Sequence, residues 1–422
     1  MDTYVKEIYP RVFKNHQRQT VFVALEEGID ADLLRIKIQP MEKYAIPHTS
    51  LYRGDEETRY EYRSLQKASE GVYAVEYDFT EEQKYNVKFK YNDELVHTTY
   101  LYSLAPDLCE LKAFKGDLHM HTENSDGMGT PFEVACAYRA AGFDFIAITD
   151  HHKFAPSLVA QAEVKELTDA FVAFRGEEVH NKSHGLFHIV NFNGESSVNE
   201  IIETDGEYVS AEIKRILETY DLSSVSDPGS VAYRIFIAEQ IRKVNGVAIM
   251  SHPFWEAAGE YHIQVEEFIY HWQHGNFDAL EVIADCDRVG NGNNLQETLR
   301  CDMMADGYRI PVVGASDSHR AVMGTGWFNR HFTIVFAKDA GEIPDAIKAE
   351  RSVAVRRRDD TDFYGVGRYR YVKYARFLLR EYYPQYAKLC HLHAEAMSKK
   401  DKEQIREAEK QIAAFQDRFF AV

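Results

Sequence analysis

Through roughly the first 112 residues, apolar and aromatic positions alternate with polar ones at a period of two, in TVFVAL (20–25), LLRIKI (33–38), GVYAVEYDF (71–79) and KYNVKFKYNDELVHTTYLYS (84–103). Successive side chains on a strand point to opposite faces, so each stretch predicts a strand with one buried face. Asn92-Asp93 separates Tyr85-x-Val87-x-Phe89-x-Tyr91 from a second alternating run and predicts a hairpin. Residues 1–113 therefore read as a small antiparallel β-sandwich. From Lys115 the rhythm changes to short apolar runs: KGDLHMH, FDFIAITD, FVAFRGEEV, LFHIVNF, GVAIMSH, FDALEVIA and IPVVGASDSH. Between them lie stretches with helical spacing, PFEVACAYRAAG, SLVAQAEVKEL, VAYRIFIAEQIRKVNG and NNLQETLRCDMMADG, the first opened by Thr130-Pro131 and closed by Gly142. Strands alternating with crossover helices define an α/β class, and seven such strands over 114–355 suggest a barrel rather than an open sheet.

After residue 340, PDAIKAERSVAV reads as one more helix-to-strand step, followed by the basic run Arg356 to Arg358, which reads as a solvated loop. The segment 356–422 forms a C-terminal helical extension, with two helices in a hairpin interrupted by Pro384 and by the turn-like stretch at Ser398. These helices offer a surface for homo-oligomer formation, with packing onto the chain's own barrel as the alternative.

Composition narrows the function. A formal charge of −18, from 67 acidic against 49 basic residues, argues against a broad grip on duplex nucleic acid, which needs a basic face. Cys109, Cys136, Cys286, Cys301 and Cys390 are odd in number and contain no C-x-x-C pair, which fits free thiols in a reducing compartment. The first twenty residues lack an apolar core of signal-peptide length, and no run of eighteen apolar residues occurs, so a cytoplasmic location without membrane contact is expected.

The chemistry lies where the apolar runs end. Nine candidate metal ligands, His119, His121, Asp126, His151, Glu178, His188, His252, Asp317 and His319, recur along two hundred residues. A single structural zinc takes four ligands in two close pairs, whereas two short pairs plus scattered singles point to a multinuclear catalytic centre. Strand alternation places His119 and His121 on one face, and likewise Asp317 and His319. Of the adjacent carboxylates, Glu178 shares parity with Val172 and Phe174, while Glu177 shares it with Arg175, so Glu178 is the candidate bridging ligand. His188 sits in an apolar run where an unpaired imidazole would be costly. His184 reads as an exposed loop residue, and His180 is open between the two roles. Asp150 is placed either to accept from a ligand or to cap a turn. Ser251 and Ser316 lie in no G-x-S-x-G elbow, which disfavours a Ser-His-Asp hydrolase.

GDLHMHTENSDG, ITDHH, GEEV, FHIVNF, SHP and GASDSH, in this order and spacing, resemble the motifs of the PHP (polymerase and histidinol phosphatase) metal-dependent phosphoesterase superfamily over roughly residues 114–355. The resemblance implies a distorted (β/α)7 TIM-like barrel holding up to three divalent ions (Zn, Mn or Fe). It assigns His119, His121, Glu178 and Asp317 to one ion, Glu178, His188 and His252 to a second, and Asp126, His151 and His319 to a third. The implied activity is hydrolysis of phosphate mono- or diesters, on a small molecule or nucleotide, by a metal-activated hydroxide at a trinuclear site. Lys153, Arg288 and Arg320 follow candidate strand ends and could neutralise phosphate oxygens; His152 could protonate the leaving oxygen. Each could equally be an ordinary surface side chain. The competing readings are a carboxylic ester or amide hydrolase using the same metals, and a module whose β-sandwich serves to bind a partner or glycan.

Overall fold

The alternating N-terminal stretches pair into two sheets. The computed structural model describes residues 4–42, 60–180, 188–257, 259–284, 292–359 and 362–422. It divides into two units: Met1–Leu111 with Phe377–Tyr382 and Lys410–Val422, and Lys112–Arg376 with Tyr383–Glu409. In the first unit, Val5–Tyr9, Gln17–Leu25, Val72–Phe79 and Gln66–Ser69 form one sheet in that order. The other sheet runs Phe420–Ala421, Val12–Lys14, Glu94–Leu104, Gln83–Tyr91, Leu34–Pro40 and Arg63–Ser64. Val21, Val23 and Val75 from the first share one core with Ile36, Val87 and Phe89 from the second. Asn92 and Asp93 both adopt positive φ (51° and 66°), the conformation a tight two-residue hairpin requires. The sheets are not wholly antiparallel, because Val12–Lys14 pairs in parallel with both Glu94–Leu104 and Phe420–Ala421.

The second unit is mixed α/β. Besides the short hairpin of Glu256–Ala257 and Glu260–Tyr261, its strands are β1 (Lys112–Asp117), β2 (Phe145–Ala147), β3 (Val172–Phe174), β4 (Gly176–Val179), β5 (Ile189–Phe192), β6 (Val247–Met250), β7 (Ala279–Ile283), β8 (Val312–Gly314), β9 (His331–Ala337), β10 (Ser352–Arg357) and β11 (Phe363–Gly367). They form two sheets, ordered β3-β2-β1-β9-β10-β11 and β4-β5-β6-β7-β8, where the sequence suggested one closed barrel. Three pairings explain the difference, since β4–β5, β5–β6 and β1–β9 are antiparallel. The stretch FVAFRGEEV, expected as one strand, breaks at Arg175: β3 pairs with β2 in one sheet, and β4 pairs with β5 in the other. Gly176 permits the switch, because a Cβ there would lie 2.8 Å from the Ile148 carbonyl oxygen. The two sheets meet through isolated parallel bridges, Met120 with Ser318 and His151 with Glu178.

Helices α1 (Pro131–Ala140), α2 (Ala155–Leu167), α3 (Val198–Thr204), α4 (Gly206–Thr219), α5 (Pro228–Lys243), α6 (Val265–Gln273), α7 (Gly292–Ala305) and α8 (Ile343–Lys348) connect the strands. A full capping box at Thr130 and Glu133 starts α1. The C-terminal segment contains three helices rather than two, α9 (Tyr369–Glu381), α10 (Tyr383–Ser398) and α11 (Lys402–Phe419). Pro384 falls in the first turn of α10, where its missing N–H costs nothing, so it opens a helix instead of interrupting one. Arg139 on α1 donates from Nε to His393 Nδ1 on α10 at 3.0 Å, so this helix packs within the second unit. Arg356 and Arg357 lie in β10, not in a loop. Among the described residues, no helix is long and apolar enough to cross a membrane.

Candidate metal centre

Most candidate ligands sit two to five residues beyond a strand end. β1 stops at Asp117, so His119 and His121 project from the chain after it, and β8 stops at Gly314, before Asp317 and His319. Strand alternation therefore does not set these two pairs; Asp317 adopts φ 47°, and the backbone turns the side chains into place. A second-sheet bridge holds each turn, as His121 N donates to Ser318 O at 2.9 Å and Met128 N to His319 O at 2.9 Å. Asp150 accepts from Thr122 N (2.7 Å), Thr122 Oγ1 (2.6 Å) and Ser125 Oγ (2.5 Å), and so holds the 121–126 loop rather than a ligand imidazole.

All nine candidates converge. Donor atoms lie within 4.8 Å of one another in four overlapping groups: His121, Asp126, His151 and His319; His151, Glu178, His180 and His188; His119, His121 and Asp317; His119, Glu178 and His252. Glu178 belongs to two of these groups and is fully buried, with His188 Nδ1 at 2.7 Å, His151 Nδ1 at 2.6 Å, His119 Nε2 at 3.4 Å and His252 Nε2 at 3.6 Å. Glu177 points away: it accepts from Val198 N (2.6 Å), Ser197 Oγ (2.7 Å), Asn199 Nδ2 (2.9 Å) and Asn191 Nδ2 (3.0 Å), fixing the start of α3.

The geometry fits cations. Both Glu178 oxygens, His119 Nε2 and both nitrogens of His252 are buried without an aligned hydrogen-bond partner in the described residues. Such crowding of unsatisfied N and O atoms is costly unless a positive ion takes their lone pairs. Imidazole and carboxylate donors together suit divalent transition metals.

No family model matches the chain. Among curated proteins, it is 45% identical over 53 residues to the DNA polymerase/3'-5' exonuclease PolX of Bacillus subtilis, a match covering 13% of this chain and 9% of that protein. The chain thus spans only a small part of that relative's length. Similar solved structures include a two-domain Bacteroides vulgatus protein containing a predicted PHP-like metal-dependent phosphoesterase (TM-score 0.41, 21% identity, 60% of this chain and 67% of that one). A second, from Bifidobacterium adolescentis, is proposed to be a metal-dependent phosphoesterase (TM-score 0.37, 17% identity, 50% and 91%). A third is an amidohydrolase from Chromobacterium violaceum (TM-score 0.32, 16% identity, 49% and 87%). Two of these three carry a phosphoesterase description.

Electrostatics in the cluster follow from its carboxylates. Burial lowers the His119 pKa, but Glu281, Asp317 and Glu178 outweigh it and hold it well above the usual value. His151 and His252 are also raised against burial, the first chiefly by Glu178 and the second by Glu178 and Asp317. Burial raises Glu178 and Asp317, yet the imidazoles around them win and hold both well below the carboxylate range. The carboxylates thus demand positive charge at the site, which divalent ions would also meet.

Glu281 and His262 escaped the sequence reading, and His180 was left open there. Glu281 on β7 meets His119 Nδ1 at 2.8 Å and accepts from His252 N at 3.1 Å, so it fixes which nitrogen of His119 faces the cluster. His180 is buried, with Nε2 2.6 Å from His151 Nδ1, and His262 Nε2 accepts from His188 N at 3.2 Å. Glu281 was visible only as a lone acid inside an apolar run. His152 is exposed, its ring 4.4 Å from that of His180. Lys153 is exposed and bonds through Nζ to Asn124 O, and Arg320 is exposed beyond β8. Arg288 and His184 lie outside the described residues.

Proposed function

We propose that this chain is a metal-dependent phosphoesterase whose centre is the Glu178 cluster. The observation that carries the reading is a fully buried carboxylate without an aligned partner, ringed by six imidazoles. The nine ligands divide into three ion positions as the motif resemblance implies, with Glu178 shared between two. Divalent ions in such a site supply Lewis acidity and a nucleophile active near neutral pH. The chain's own residues do the rest. Glu281 orients His119, Asp150 fixes the loop carrying His121 and Asp126, and Lys153 and Arg320 bring positive charge for phosphate oxygens. His152, exposed at the rim, is the proton donor for the leaving oxygen. The motifs favour phosphorus over carbonyl carbon as the centre attacked, and the matched relative is named for an exonuclease, an activity on phosphodiester bonds.

Metal analysis of the purified protein, followed by turnover of p-nitrophenyl phosphate, bis-p-nitrophenyl phosphate and p-nitrophenyl acetate with Mn or Zn, tests the proposal. His119→Ala and Asp317→Ala should each lose bound metal and phosphoesterase turnover together. A variant that lost its metals yet kept full activity would sink the metal mechanism, and turnover of the acetate alone would make the enzyme a carboxylic ester hydrolase.

A further inference from the structure

A cavity of about 500 Å³ opens at the other end of β8 from Asp317, between α7, β8, β10 and β11. Arg300, Arg309 and Arg368 line it, with Glu350 as the acidic residue in its wall. Arg300 is only 7% exposed; its Nε donates to Ile310 O at 3.1 Å, and neither terminal nitrogen has a partner among the described residues. Desolvation lowers the Arg300 pKa here, with Cys301, Glu297 and Glu350 pulling against it. Glu350 is already shared, lying 3.5 Å from Arg309 and hydrogen-bonded to Arg368. Glu297 accepts from the Tyr364 hydroxyl. Within the cavity lining one carboxylate faces three guanidiniums, while Glu297 acts on Arg300 from outside it. Met304, Tyr308 and Pro311 give the remaining wall an apolar character.

We propose that this cavity binds a phosphate monoester dianion, apart from the metal centre and independently of the reaction performed there. The excess of guanidiniums over carboxylates in the lining suits the charge of about −2 that a phosphate monoester carries near pH 7. Guanidinium forks suit its oxygens, and the cavity is of small-molecule size. The organic remainder lies along Met304, Tyr308 and Pro311.

Cys301, exposed and lining the same cavity, gives a local readout that the metal centre does not share. Full-length protein is alkylated with iodoacetamide at pH 8 and constant ionic strength, with increasing inorganic phosphate or the non-hydrolysable phenylphosphonate, and Cys301 modification is followed by peptide mass mapping. Both ligands should slow labelling of Cys301 and leave Cys109 unaffected. The exposed pair Arg309→Gln/Arg368→Gln should weaken protection by about tenfold or more. Glu350→Gln, which frees both arginines from their shared acid, should strengthen it, an effect no purely structural role would produce. Labelling indifferent to phosphate in the wild-type protein overturns the proposal, as does protection unchanged in the double variant. Protection by succinate but not by phosphate overturns the assignment of a phosphate ligand.

Discussion

Glu177 and Glu178 are neighbours on β4 with opposite duties. Glu178→Ala should remove most of the bound metal, measured by plasma emission on the purified protein, because it strips the carboxylate common to two of the donor groups. Glu177→Ala should leave metal content unchanged and cost about 1–3 kcal/mol in denaturant unfolding, since it leaves donors at the start of α3 unsatisfied. Glu281→Gln should lower metal affinity by about 10–100-fold through loss of control over His119, with little change in fold stability. The Glu177/Glu178 choice was legible in the sequence because both stand on a real strand, where parity decides the face. Glu281 was not, since its partner His119 is 162 positions away and nothing local marks the pairing.

Strand directions and breaks were less legible than strand existence. Apolar runs announced β1 to β8, but the split of FVAFRGEEV into β3 and β4 depends on pairing with two different sheets. HFTIVFA, which forms β9 with every residue buried, was not among the apolar runs read as strands in the sequence. β9 runs antiparallel to β1 and to β10, and this pairing is part of what keeps the strands from forming one parallel ring. Its closeness to β8 can be probed at Gly314, where a Cβ would lie 2.5 Å from the Phe332 carbonyl oxygen and 3.0 Å from Val355 N. Gly314→Ala should destabilise the protein by about 1–3 kcal/mol, read as a lower denaturant midpoint, because neither contact is a flexible side chain that can move aside.

For the molecule as a whole, two buried histidines contribute to its response to acid. Burial pushes His331 down to about 3, with the Arg356 charge adding to it, and His393 also down to about 3, with Arg139 beside it. Above the unfolded value of about 6.5 neither state holds the extra proton; between about 6.5 and 3 the unfolded chain binds it and the folded chain does not. Stability should therefore fall as pH drops through that window, by about 1.4 kcal/mol per pH unit for each histidine, and His331→Phe should flatten the slope by one such increment in urea titrations at pH 6 and 4. Chelation should lower the thermal midpoint of the wild-type protein and leave that of His119→Ala unchanged, because ions that bind only the folded cluster stabilise it by mass action. The amino-acid sequence by itself determined the α/β class, the alternating N-terminal strands and the nine ligand types, because period, composition and motif spacing are local properties of the chain. Only the tertiary structure decided that the strands form two sheets, that Glu281 and His180 meet the candidate ligands His119 and His151, and that Arg300 is buried against a cavity, because each depends on which distant segments meet.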